Sequence, residues 1–155
     1  MNEACRQYWS AFLRATGRSH AETPDPPVDD FGDNPDLADY LVGLVLEGKK
    51  TASCGLLVEY EQENQPLPKV GDVSLFVNGA REPVCVAEVT EVFVKPFREI
   101  DAAFAYDEGE DDRTYASWRR EHVKYFTRTL QAIGLVFDEG MLTVCERFKV
   151  LHRKA

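Results

Sequence analysis

The chain has 155 residues, room for one domain around one core and not for two full ones. Hydrophobic residues at 44% against charged residues at 29% exclude a disordered chain, and no run is long and apolar enough for a membrane helix. The net charge of −9 excludes general affinity for polyanions, so a nucleic-acid site must be local; MNEACRQYWS lacks a signal-peptide pattern, and a cytoplasmic location is expected.

Tyr8, Trp9, Phe12 and Leu13 recur at helical spacing and predict a helix over residues 3–15. Residues 17–33, with Pro24, Pro26 and Pro27, read as an extended loop. Asp33 or Asn34 can cap the next helix, Pro35 suits its first turn, and Leu37, Tyr40, Leu41, Leu44 and Val45 give it one apolar face up to Gly48. Residues 51–59, 72–77 and 84–94 then carry strand-type residues, with Asn78-Gly79 as a hairpin turn. Helices are expected over 100–106 and 113–133, and a closing strand over 141–152. This order is not an alternating βαβ pattern and favours an α+β domain around a small mixed β-barrel flanked by helices. Neither GxGxxG nor a P-loop occurs, which argues against use of nucleoside triphosphates.

Cys5, Cys54, Cys85 and Cys145 show no CxxC spacing and read as buried free thiols. His20, His122 and His152 lie far apart, so no metal site and no cofactor is expected. Lys49, Lys50, Thr51 and Ser53 bring two ammonium groups and two hydroxyls to one helix-to-strand corner, where a lysine lowered in pKa by burial could activate Ser53 or a water. The plainer reading is a solvated lysine pair at a helix C-terminus. The acidic run 107–112 similarly reads as a solvated loop unless Glu108 or Glu110 faces the lysine corner. Tyr115, Trp118, His122 and Tyr125 share a helix face that is either core or a base-stacking pocket. Arg113, Arg119, Arg120, Lys124 and Arg128 make that helix the expected basic patch, together with Lys149, Arg153 and Lys154. Glu88, among valines, is expected on an edge strand.

Phe31-Gly32-Asp33, the Leu-Glu-Gly-Lys-Lys-Thr-Ala-Ser run ending at Ser53, Val70-Gly71-Asp72, Pro96-Phe97, Glu108-Gly109-Glu110 and Trp118 to His122 occur in an order that resembles the ASCH domain family. The resemblance implies a PUA-like fold over residues 31–155, with residues 1–30 as a helix and tether packed on it, in a superfamily associated with RNA. One branch hydrolyses the amide of N(4)-acetylcytidine with a lysine, a hydroxyl residue and a glutamate. Lys50, Ser53 and Glu108 stand at those positions here, serine replacing threonine. The implied activity is amide hydrolysis on an N(4)-acylated cytidine or related nucleoside. Lys50 would activate Ser53 or a water, and Glu108 would shuttle a proton to the leaving amine. Lys49, Thr51, Glu110, Trp118, Arg119, His122 and Tyr125 would contact the substrate. The alternative implied by other members is an RNA-binding module or a ribonuclease dependent on a divalent metal, with short single-stranded RNA as partner.

Overall fold

The computed structural model describes residues 1–154. Asn2 accepts a hydrogen bond from the Cys5 amide and starts α1 (Glu3–Thr16), which buries Cys5, Trp9, Phe12 and Leu13. Asn34 caps α2 (Pro35–Leu46) in the same way, accepting from the Leu37 amide, with Pro35 in the first turn. A five-stranded sheet lies between these helices in the order β1 (Val28–Asp29), β3 (Val73–Val77), β4 (Pro83–Pro96), β5 (Leu142–Arg153), β2 (Ala52–Leu56). Side chains alternate across its faces: Leu75, Val77 and Val86 pack under α1, whereas Phe76, Cys85 and Ala87 pack under α2. A third cluster sits where α4 (Ala102–Glu108) and α5 (Tyr115–Gln131) cover β2 and β5, around Phe97, Phe104, Trp118 and Phe126.

Four expectations are corrected here. The expected barrel is an open sheet: β1 pairs in parallel with β3 over two residues, β2 pairs with β5, and among the described residues no ladder joins the two edge strands. The strand expected over 51–59 stops at Leu56, and Leu57–Gln62 forms α3, its Glu59 accepting from the Thr129 hydroxyl at 2.7 Å and its Tyr60 ring lying against Gly55. The 17–33 loop contains β1, too short to show in residue preference. Glu88 lies in β4, an interior strand opposite Val73 and Lys149, with the Lys149 ammonium at 3.7 Å.

The β3–β4 hairpin forms as expected, although not through a left-handed glycine. The Asn78 side chain accepts from the Ala80 and Glu82 amides, and Arg81 takes the positive φ of 65°. Gly79 is needed for proximity: a Cβ there would lie 2.4 Å from the Pro35 carbonyl oxygen. The hairpin thus packs directly on the start of α2.

Candidate functional site

Two helix ends meet backbone to backbone. After α2 the chain turns through Gly48, and the amides of Lys49 and Lys50 both donate to the Leu44 carbonyl, at 3.0 and 3.1 Å. α4 ends at Gly109 with φ 73°, where a Cβ would lie 2.3 Å from the Lys49 carbonyl oxygen, and the Thr51 amide donates to the Asp107 carbonyl at 2.8 Å. This junction turns Lys49 outward to Glu47 and Lys50 inward, where it is 2% exposed.

The Lys50 ammonium lies 3.2 Å from Glu108 Oε1 and 3.2 Å from Glu110 Oε2, with the Phe31 ring 5.6 Å away. The second Glu108 oxygen accepts from Trp118 Nε1 at 2.5 Å and faces His122 Nε2 at 3.2 Å and Cys54 Sγ at 3.3 Å. His122 Nδ1 sits 2.8 Å from the Trp118 carbonyl oxygen, which fixes the ring. Lys50, Cys54, Glu108, Glu110 and His122 floor a pocket of about 200 Å³ whose walls include Phe31, Tyr40, Ser53, Tyr125 and Arg128. Arg128 stacks over Tyr125 and pairs with Asp33 at 2.5 Å, so it ties the loop after β1 to α5 across the rim.

The expected activated lysine sits between two carboxylates that favour its charged form. Burial works against charge on Lys50, but Glu110 and Glu108 outweigh it and raise its pKa above the ordinary lysine value. Burial likewise opposes ionisation of Glu108, and His122 and Lys50 overcome it, so the carboxyl stays ionised below its usual range. His122 is pushed up, because Glu108 outweighs its desolvation. Burial first, and then Glu108, hold the Cys54 thiol well above its usual value. The floor therefore sets the Lys50 ammonium against Glu108 and Glu110, with the His122 ring and the Cys54 thiol beside Glu108.

The ASCH domain family model matches residues 28–152. The chain belongs to the ASCH domain family. The family is associated with RNA binding. An ASCH domain from Lactobacillus crispatus JV V101, solved by crystallography, is similar with a TM-score of 0.89 at 30% identity, over 99% of this chain and 97% of that one. A crystal structure of an Enterococcus faecalis V583 protein of the DUF984 family model is similar with a TM-score of 0.90 at 30% identity, over 99% of this chain and 91% of that one. No curated protein matches the chain.

In this ASCH domain Lys50, Ser53, Glu108, Glu110, His122 and Tyr125 meet at one pocket. Trp118 is buried behind it, stacked between Phe97 and His122, and reaches the site only through its bond to Glu108. The helix face read as either core or pocket is continuous from one to the other. Lys49, Thr51 and Arg119 lie elsewhere: Lys49 pairs with Glu47, the Thr51 hydroxyl lies 3.3 Å from the Asp107 carbonyl, and Arg119 pairs with Glu139. In the expected basic patch, Arg120 and Lys124 share Glu121 and Arg128 pairs with Asp33, while Arg113 precedes α5 and lies over Tyr106. Cys54 and Tyr40 escaped the sequence reading. Cys54 stands beside Ser53 on a short strand, and Tyr40 counted as apolar although its hydroxyl accepts from the Asp111 amide at 2.9 Å. No helix among the described residues is long and apolar enough to cross a membrane.

Proposed function

We propose that this ASCH domain hydrolyses an acyl amide on a single nucleoside, with N(4)-acylated cytidine as the substrate class. The observation that carries the reading is the Lys50 ammonium, buried and held 3.2 Å from both Glu108 and Glu110 at the floor of a pocket walled by Ser53. The pocket, about 200 Å³, is smaller than the ~300–1,000 Å³ typical of drug-sized ligands. That size suits one base or nucleoside, and Phe31, Tyr40 and Tyr125 offer it aromatic walls.

In this scheme the Ser53 hydroxyl, or a water in its place, adds to the acyl carbon and its proton passes to a carboxylate. Glu110 fits that role better than Glu108, because Glu108 meets four donor side chains while Glu110 pairs with Lys50 and faces the pocket. The Lys50 ammonium stabilises the oxyanion as it forms. The C–N bond then breaks, the leaving amine takes a proton from the site, and water finally carries the acyl group away as a carboxylate. The roles of Lys50 and the glutamates are thus exchanged relative to a lysine-base mechanism.

The test is incubation with N(4)-acetylcytidine and chromatography of the products. Cytidine release by the wild type is expected, with a drop on the order of 10²–10³-fold in Lys50→Ala, the usual loss when an oxyanion-stabilising group is removed. Absence of release overturns the hydrolase. Binding of the intact nucleoside without turnover would instead favour a ligand-binding module for RNA, the second reading, which the aromatic walls and the family's association with RNA support.

A further inference from the structure

Cys54 on β2, Glu108 at the end of α4 and His122 on α5 come from three separate elements, yet their ligand atoms lie within 4.8 Å of one another. The separations to Glu108 Oε2 are 3.3 Å from Cys54 Sγ and 3.2 Å from His122 Nε2. Zinc bonds of ~2.3 Å to sulfur and ~2.0 Å to nitrogen and oxygen, at the tetrahedral angle, set S···O at about 3.5 Å and N···O at about 3.3 Å. Two edges of such a tetrahedron are thus already near their ideal lengths, and the third, from Cys54 Sγ to His122 Nε2, lies within 4.8 Å.

We propose that Cys54, Glu108 and His122 bind one soft divalent transition-metal ion of the zinc type, with the fourth position open to the pocket. Three further features fit this assignment. His122 Nδ1 is anchored on the Trp118 carbonyl, so Nε2 faces the other two groups, the usual outer-shell support of a ligating histidine. Lys50 engages the other oxygen of Glu108, and Oε2, which accepts from Trp118 Nε1 through one lone pair, keeps its second lone pair for the ion. All three groups also line the pocket, which gives an ion there access to a bound water or ligand. A thiolate and an imidazole select zinc or cobalt over magnesium or calcium, which prefer oxygen. The site does not depend on the hydrolase reading, and a chain that binds cobalt but releases no cytidine leaves it standing.

The experiment titrates the full chain, stripped with a chelator, with Co²⁺ and records its absorption spectrum. One equivalent should raise a sulfur-to-cobalt charge-transfer band in the near ultraviolet with four-coordinate d–d bands in the visible, and Zn²⁺ should abolish both. Cys54→Ser should lose the charge-transfer band, His122→Asn should weaken binding by more than the ~10–100-fold that loss of an outer-shell partner costs, and Cys85→Ser should leave the spectrum unchanged. The wild-type titration is decisive even where a variant fails to fold: absence of a sulfur-to-cobalt band sinks the proposal. Persistence of that band in a folded Cys54→Ser variant does the same.

Discussion

The two oxygens of Glu108 serve different neighbours, Oε1 the Lys50 ammonium and Oε2 a ring nitrogen, an indole and a thiol. Lys50 and Glu108 are both 2% exposed in their side chains, so removing one leaves the other charged and dry. Lys50→Met should therefore lower stability by about 3 kcal/mol in urea unfolding. Combined with Glu108→Gln it should cost less than the sum of the single changes, because each single variant strands a buried charge and the double variant strands neither. A third carboxylate behaves differently. Glu146, opposite Ser53 in the β2–β5 ladder, is held at about 7 by burial first and then by Asp29 and Asp72, with Lys50 opposing. Its folded pKa lies above its ordinary 4.5, so the stability it contributes is complete below that value and is lost as pH rises towards 7. Glu146→Gln should accordingly gain on the wild type between pH 4.5 and 8, by on the order of 2 kcal/mol, in unfolding curves taken at both ends of that range.

At the level of elements the site depends on how closely α4 meets the end of α2. Gly109 and Gly134 share a left-handed conformation, with φ 73° and 76°, but a Cβ at Gly134 meets open space while one at Gly109 meets the Lys49 backbone. Gly134→Ala should cost roughly 1 kcal/mol from conformation alone. Gly109→Ala should cost clearly more and should also abolish nucleoside binding, because it pushes Glu108 away from Lys50; paired thermal melts and a binding isotherm separate the two variants. The same contrast marks what could be read from sequence. α2 was legible because Asn34, Pro35 and the apolar spacing act within the helix, and the β3–β4 hairpin because Asn78 acts within its own turn. α3 was not, because Leu57 and Val58 continue a strand-like run, and Thr129 on a distant helix holds Glu59 in the turn. The pairing of Lys50 with Glu108 was suggested by resemblance, but its charge state depends on Glu110 and His122 arriving from elsewhere in the fold. Cys54 carried no signal, since a lone cysteine in a strand is ordinarily core.

Over the whole molecule the net charge is −9, and on α5 Arg119 and Arg128 each pair with an acid while Arg120 and Lys124 share Glu121. Contact with one nucleotide should release few counterions. Affinity for a short single-stranded RNA should therefore fall by no more than about threefold between 50 and 200 mM salt, as a single phosphate contact with a slope of ~0.7 would give. Fluorescence anisotropy at the two concentrations checks this, and a drop of a hundredfold would reveal a phosphate-binding track that the pairing of α5 argues against. The strand order has a further consequence for how the protein is made. β2, which carries Ser53 and Cys54, is hydrogen-bonded in the sheet to β5, the last strand of the chain. A ribosome therefore releases Lys50, Ser53 and Cys54 long before the strand that holds them in place, and a nascent chain stalled short of β5 would carry every pocket side chain without a pocket.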